Sequence, residues 1–113
     1  MNNWYKAADL PEDKQHKIYN YVGLAQKAGK VKAGDMLSLD ALNKGNVRLM
    51  IAAKDLAPKV EQELKEALVK DNIPVIVLGT KLELGLAVGK SHRGLVAILD
   101  EGFTKAMVKL FNN

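Results

Sequence analysis

The chain has 113 residues, a formal net charge of +4 and a pI near 9.3. This length suits one domain with a continuous core, and 48% hydrophobic with 27% charged residues is typical of ordered globular proteins. The absence of cysteine excludes disulfides, thiolate catalysis and cysteine-based metal sites, and no apolar run reaches the roughly 20 residues of a membrane span. We therefore expect a cytoplasmic protein without a membrane partner.

The first third of the chain predicts a leader, a helix and an edge strand. Residues 1–11 are interpreted as a separate N-terminal leader, and residues 12–113 as a single α/β/α domain. A helix is expected over about residues 12–28, capped by Gly29, with an apolar stripe formed by Ile18, Tyr21, Val22, Ala25 and Ala28. Residues 30–33 then predict an edge strand, and Gly34 precedes a second amphipathic helix.

Three short apolar runs predict the buried strands of a sheet. They cover residues 47–53, 75–78 and 95–99, and they suit strands that are covered on both faces. Helical spacing predicts helices over residues 58–70, 81–88 and 103–111. Asp55 and Pro58 mark the start of the first of these, and Thr80 with Glu83 forms a capping-box pattern for the second. The alternation predicts helices on both faces of a sheet that is at least partly parallel.

Charge is distributed unevenly along the chain. Acids gather on the outer face of helix 58–70, whereas residues 27–32 and 91–94 contain none. The three lysines Lys27, Lys30 and Lys32 stand beside the start of the helix that Gly34 opens, where unpaired N–H groups and the helix dipole favour an anion. We expect folding to place Lys30 and Lys32 on one rim with Lys90 and Arg93, which predicts a patch for phosphate.

A set of short strings resembles a known family. They are Leu24 to Gly34, Ala41 to Gly45, Leu49 to Asp55, Ile73 to Val75 and Glu83 to Gly89. In this order they resemble the kink-turn RNA-binding superfamily of ribosomal protein L7Ae, and they look most like its small bacterial, YlxQ-like branch. The resemblance covers about residues 15–111.

The resemblance implies a three-layer α/β/α sandwich with a four-stranded mixed sheet, and a protein with no enzymatic activity and no cofactor. In such proteins RNA is held by the start of the second helix, the loop after the following strand and the loop before the last strand. These correspond here to Lys30 to Asp40, to Lys54 and Asp55, and to Val88 to Gly94. Together with the lysines named above, the candidate RNA-binding residues are Lys27, Lys30, Lys32, Gly34, Asp35, Met36, Lys54, Lys90, Ser91, His92 and Arg93.

Three positions depart from the pattern of this family. Where kink-turn readers carry Asn-Glu after the helix glycine and a Lys three residues beyond, this chain has Met36, Leu37 and Asp40. Met and Leu cannot form the hydrogen bonds that read base edges, so we expect contacts mainly with the RNA backbone. Met36 and Leu37 either contact an unstacked base or ribose, or one or both pack inward, and inward packing of one or both is the expectation.

The sequence therefore predicts a structured-RNA-binding protein that associates with the ribosome or ribosomal RNA and has possible kink-turn recognition. An alternative is a protein-interaction or regulatory adaptor on the same fold, which has lost kink-turn readout. His16 and His92 lie far apart in the sequence and have no cysteine partners, so no metal site is predicted. The sequence leaves open which RNA is bound and which oligomeric state the protein adopts.

Overall fold

A five-stranded mixed sheet divides the molecule into three layers, as seen in a computed structural model that describes residues 3–112. Residues 1, 2 and 113, which belong to the predicted leader and domain, lie outside the described residues. The elements in chain order are β1 (Trp4–Lys6), a 3-10 turn (Ala7–Asp9), α1 (Glu12–Lys27), β2 (Val31–Ala33), α2 (Asp35–Asn43), β3 (Leu49–Ala52), α3 (Pro58–Lys70), β4 (Val75–Val77), α4 (Lys81–Ala87), β5 (Leu95–Ile98) and α5 (Glu101–Lys109).

The strands lie side by side in the order β1-β4-β3-β5-β2. Strands β1, β4 and β3 are parallel, while β5 is antiparallel to both of its neighbours, β3 and β2. Four strands therefore run in one direction and only β5 is reversed. The expected α/β fold with a mixed sheet is confirmed, and the expected edge strand forms as β2, but the predicted number of four strands is wrong.

The additional strand is β1, which comes from the predicted leader and pairs with β4. Its side chains divide between the two faces of the sheet: Trp4 packs against one core cluster and Tyr5 against the other. Tyr5 also contacts the ring of Phe111, with 5.0 Å between the ring centroids. Trp4, Tyr5 and Lys6 form neither an apolar run like that of β4 nor an alternating pattern, so the sequence carries no clear signal for this strand.

Core residues lie on both faces of the sheet. On one face, α1, α4 and α5 cover a cluster that includes Ile18, Leu84 and Met107, and on the other face α2 and α3 cover a cluster that includes Leu42 and Leu64. Every residue of β3 and β5 is buried. This confirms the prediction that the apolar runs are strands covered on both faces, because each successive side chain meets a different helical layer.

Most helix ends follow local sequence signals. Thr80 and Glu83 form the expected capping box at the start of α4, and Gly29 follows α1 with a φ of 72°. Ala28 is exposed, although the sequence placed it on the inner stripe, because α1 ends at Lys27. The last helix begins at Glu101 rather than Phe103, since the Asp100 carboxylate accepts a hydrogen bond of 2.9 Å from the Phe103 N–H and caps α5.

Candidate nucleic-acid interface

The reversal of β5 brings the candidate loops together. Strands β1, β2, β3 and β4 all end at one edge of the sheet, called here the carboxyl edge, and β5 begins there. Three backbone hydrogen bonds join the connections at this edge: Gly34 N–H to Leu95 O at 2.8 Å, Ala53 N–H to Gly94 O at 2.9 Å, and Lys54 N–H to Gly79 O at 2.7 Å. The start of α2, residues 54–55 and the 89–94 loop therefore lie close together.

Helix α2 opens at this edge with two exposed apolar side chains. Met36 is 85% exposed and Leu37 is 57% exposed, so the expectation that one or both pack inward is wrong. Helix α2 buries Ser38, Ala41 and Leu42, which leaves the first turn outside its inner stripe.

Gly34 has a φ of 118°, a conformation that residues with side chains rarely adopt, so a tight turn alone explains this glycine.

Helix α4 fixes the 89–94 loop. Lys90 N–H donates to the Gly85 carbonyl at 2.8 Å, and Arg93 N–H donates to the Lys81 carbonyl at 3.0 Å. A Cβ at Gly85 would collide with the Ser91 carbonyl, so the loop lies directly on the helix. Lys90, Ser91 and His92 are exposed. The Arg93 guanidinium folds back on its own loop, donating to Ser91 Oγ at 3.0 Å and to the His92 carbonyl at 2.9 Å.

A groove of about 420 Å³ forms where this loop meets the start of α2. Its cationic lining comes from Lys81 and from Arg93, which lies alongside Gly34, and the His92 side chain also lines the groove. Lys81 is not among the residues predicted from the sequence, although it directly follows the Thr80 cap of a predicted helix. The full lining is Ala33, Gly34, Asp35, Met36, Leu37, Lys81, His92, Arg93 and Gly94. We call this the α2 groove.

Two aspartates lie at the carboxyl edge of the sheet and make close contacts there. Asp55 Oδ1 accepts a 2.8 Å hydrogen bond from the Lys81 N–H, so Asp55 stabilises the start of α4 and not, as predicted, the start of α3. Asp35 Oδ1 is buried and has no hydrogen-bond partner among residues 3–112. It lies 2.8 Å from where a Cβ on Gly94 would stand, so a side chain at position 94 would displace it. Asp35 is thus a closely packed carboxylate at the mouth of a helix whose dipole favours it.

The predicted lysines do not all reach this groove. Lys54 lies exposed at the carboxyl edge, and Lys32 is exposed in the middle of the edge strand β2. The Lys30 carbonyl, in contrast, accepts a 2.9 Å hydrogen bond from Leu99 N–H, at the far end of β2 from Gly34. Four extended residues span roughly 13 Å. Lys30, and Lys27 in the last turn of α1, therefore lie toward the opposite edge of the sheet.

A second groove, of about 570 Å³, adjoins Lys54 beneath the N-terminal segment. Lys6 and Lys54 line it together with Glu12 and Glu83, so its formal charges balance. Tyr19 also lines it, against Gly79, and burial raises the pKa of Tyr19, with the Glu83 carboxylate raising it further. This balance gives the second groove less attraction for an anion than the α2 groove.

Within residues 3–112, no cluster of three or more His, Cys, Asp or Glu side chains is arranged to hold a metal ion. Over the same residues, none of the helices has the length and apolar character needed to cross a membrane. The groups present at the carboxyl edge are lysine, arginine and histidine side chains, two aspartates, helix N–H groups and exposed apolar side chains.

Together, the fold and the site define a three-layer α/β/α protein with a cationic groove at the mouth of its second helix. The sequence model of the ribosomal protein L7Ae/L30e/S12e/Gadd45 family matches residues 16–108. The chain belongs to this family, which confirms the resemblance found in the sequence.

Individual relatives match along most of their length. The large ribosomal subunit protein eL8 of Thermoplasma volcanium is 27% identical over 110 residues, covering 96% of this chain and 91% of the relative. The RNA-binding protein YlxQ of Enterococcus faecium is 26% identical over 101 residues, covering 89% of this chain and 97% of the relative.

Solved structures share the fold. A protein of unknown function from Bacillus halodurans superposes with a TM-score of 0.78 at 29% identity, covering 86% of this chain and 98% of that chain. The 15.5kD RNA binding protein of Giardia lamblia superposes with a TM-score of 0.73 at 24% identity, covering 88% of each chain, and this likeness is one of fold.

Proposed function

We propose that this protein binds structured RNA, through the phosphate backbone, at the carboxyl edge of its sheet. One observation carries the proposal: the 89–94 loop folds against α2 so that Arg93 and Lys81 line one groove with the start of that helix. Phosphate is favoured there because, in the described part of the chain, two cations, Arg93 and Lys81, line the groove against the one carboxylate of Asp35. Lys54 and Lys90 are exposed and add cations outside the groove.

The side chains at the mouth of α2 favour backbone contact over base reading. Met36 and Leu37 are exposed but have no hydrogen-bonding groups that distinguish one base edge from another. Asp40 forms an exposed ion pair with Lys44 at 3.0 Å, so its carboxylate has a local partner. We therefore propose that any preference for a kinked RNA arises from the shape of its backbone, with Met36 and Leu37 contacting ribose or an unstacked base.

Relatives support a ribosomal partner. One of them is named as a large ribosomal subunit protein and another as an RNA-binding protein, and each aligns with most of this chain. We propose that the RNA is ribosomal RNA or a kink-turn-like element and that the protein acts at the ribosome, which implies a cytoplasmic location. No catalytic role is proposed.

A fluorescence anisotropy titration tests this function. The probes are a kink-turn hairpin, a plain duplex of equal length and a ribosomal RNA fragment, each titrated at two salt concentrations. We expect the hairpin to bind at least about tenfold more tightly than the duplex, a difference of about 1.4 kcal/mol. Four cations at phosphates give a slope of log affinity against log salt of about −3. An affinity that is insensitive to salt, or equal binding to heparin, would contradict the proposal.

A second candidate function is a protein-interaction or regulatory adaptor, favoured by the exposure of Met36 and Leu37 on adjacent positions. The two functions respond differently to ribonuclease. For an adaptor, partner proteins remain bound to the tagged protein after ribonuclease treatment, and a variant combining Met36→Ser with Leu37→Ser loses them. For an RNA-binding protein, co-purifying ribosomal proteins are released by the nuclease, and quantitative mass spectrometry of the eluates distinguishes these results.

A further inference from the structure

The edge opposite the carboxyl edge also carries exposed cations. Strands β2, β3 and β4 begin there and β5 ends there, and we call it the amino edge. Arg48 N–H donates to the Ile98 carbonyl at 2.8 Å, and Leu99 N–H donates to the Lys30 carbonyl at 2.9 Å. Arg48 and Lys30 therefore flank the end of β5, and both are exposed.

A groove of about 550 Å³ runs along this edge between α5 and the loops that precede β3 and β4. We call it the α5 groove. Lys105 and Lys109 stand one helical turn apart on α5, with about 5–6 Å between Cβ atoms, and Arg48 faces them from the loop before β3. The residues between 3 and 112 that line it are Arg48, Asn72, Ile73, Pro74, Glu101, Thr104, Lys105, Val108, Lys109 and Asn112.

The charge of this groove distinguishes it from its neighbours. Among residues 3–112, three cations line it against one carboxylate, Glu101, which gives these residues a formal excess of two positive charges. The two grooves along α3 have more acidic than basic side chains. Glu61 and Glu66 line one of them with Lys65, and Glu63 and Glu66 line the other with Lys70.

Glu101 does not neutralise the cations. Its Oε1 lies 4.0 Å from Arg48 Nε, the outer limit of an ion pair, and both side chains are more than half exposed. An exposed pair of this geometry contributes little binding energy, so the guanidinium retains donors for another anion.

We propose that the α5 groove binds a second segment of RNA backbone, so that one protein chain bridges two RNA segments at opposite edges of its sheet. The inference rests on the proposed function in that the first segment occupies the α2 groove. The cations on α5 are spaced to contact successive phosphates of one strand, and Arg48 can bind a phosphate through two parallel donors. The molecule measures 32 × 32 × 26 Å, so two RNA helices can approach from opposite sides.

A bead-capture assay tests the bridge. A biotinylated short RNA duplex on beads captures the purified protein at low salt, and a fluorescent duplex of different sequence is then added. We expect the wild-type protein to retain the second duplex. A variant combining Lys105→Gln with Lys109→Gln is expected to remain on the beads through its α2 groove while retaining about tenfold less of the second duplex.

A matched control removes the same charge elsewhere. Lys17 and Lys65 are exposed on α1 and α3, outside both the α2 and the α5 groove, and changing both to Gln is expected to leave bridging within about twofold of wild type. Light scattering measures the mass of each protein, and circular dichroism checks that each is folded. A single substitution, Arg48→Gln, tests the groove from its other wall and is expected to weaken bridging in the same direction.

The outcomes separate this inference from the proposed function. Bridging by the Lys105 and Lys109 variant at the wild-type level, or bridging that requires a protein dimer, would overturn the α5 groove as an RNA site. An α2-groove variant with Lys81→Gln and Arg93→Gln, made in the Lys105→Gln and Lys109→Gln background so that the α5 groove cannot capture the first duplex in its place, would instead contradict the proposed function if it captured that duplex as well as wild type. Binding of an acidic peptide in the α5 groove without any bridging of RNA would also reject the inference.

Discussion

Replacing Gly85 with alanine is expected to lower the free energy of unfolding by about 2 kcal/mol and to weaken RNA binding. The new Cβ would collide with the Ser91 backbone carbonyl, which cannot move without displacing the whole 89–94 loop. Overpacking of this kind costs roughly 1–3 kcal/mol, and the gain from alanine in a helix offsets at most about 1 kcal/mol of it. Urea denaturation measures the stability, and anisotropy measures the affinity.

A second glycine provides the control for this substitution. Gly23 lies within α1, and a Cβ there would stand 3.5 Å from the Ala87 carbonyl, an ordinary contact. Gly23→Ala is therefore expected to stabilise the protein by about 0.5–1 kcal/mol and to leave RNA affinity unchanged. If both variants had the same stability and affinity, the close packing of the loop on α4 would not be what positions Arg93.

Removing two cations from the α2 groove is expected to lower RNA affinity about a hundredfold. A hydrogen bond to a charged group contributes roughly 1.5–3 kcal/mol, so Lys81→Gln and Arg93→Gln should each cost at least about tenfold. The slope of log affinity against log salt should also become less steep by about two. Anisotropy titrations at several salt concentrations measure both effects on the same RNA.

The planar shape of the Arg93 guanidinium, and not only its charge, is expected to contribute to binding in the α2 groove. Arg93→Lys keeps the charge but loses the planar guanidinium that donates to Ser91 Oγ and the His92 carbonyl. We expect this variant to keep the salt slope of the wild type while binding RNA about threefold to tenfold more weakly.

The variant with Lys17→Gln and Lys65→Gln has the same net charge as the double α2-groove variant. Equal losses of affinity in those two double variants would mean that overall charge alone drives binding.

The strands and helices of the core could be predicted from the sequence because each has a local pattern of residues. The runs around Leu49 to Ala52 and Leu95 to Ile98 are apolar at every position, which strands buried on both faces require. The Thr80 and Glu83 capping box is likewise a local arrangement within four residues. The parallel pairing of β1 with β4 is different, because it joins Trp4 to Val75 across most of the chain and no local pattern records it.

Which residues form the site, and what they contact, could be predicted only partly from the sequence. Apolar residues usually pack inward, so one or both of Met36 and Leu37 were expected to be buried, but the inner stripe of α2 passes through Ser38, Ala41 and Leu42 instead. Asp55 was assigned to the start of α3 from its distance along the chain to Pro58, whereas its hydrogen bond to Lys81 spans 26 positions. Such contacts depend on which loops the sheet order brings together, and that order is fixed by long-range pairing.

The acidic face of α3 has a consequence for how complexes form. Glu63 and Glu66 are exposed on this helix, between cationic grooves at the two edges of the sheet. An approaching polyanion is repelled by this layer and drawn to the edges, so diffusional encounters begin in productive orientations. Neutralising Glu63 and Glu66 should therefore lower the fraction of encounters that begin in a productive orientation, most strongly at low ionic strength, while the lifetime of the complex stays the same.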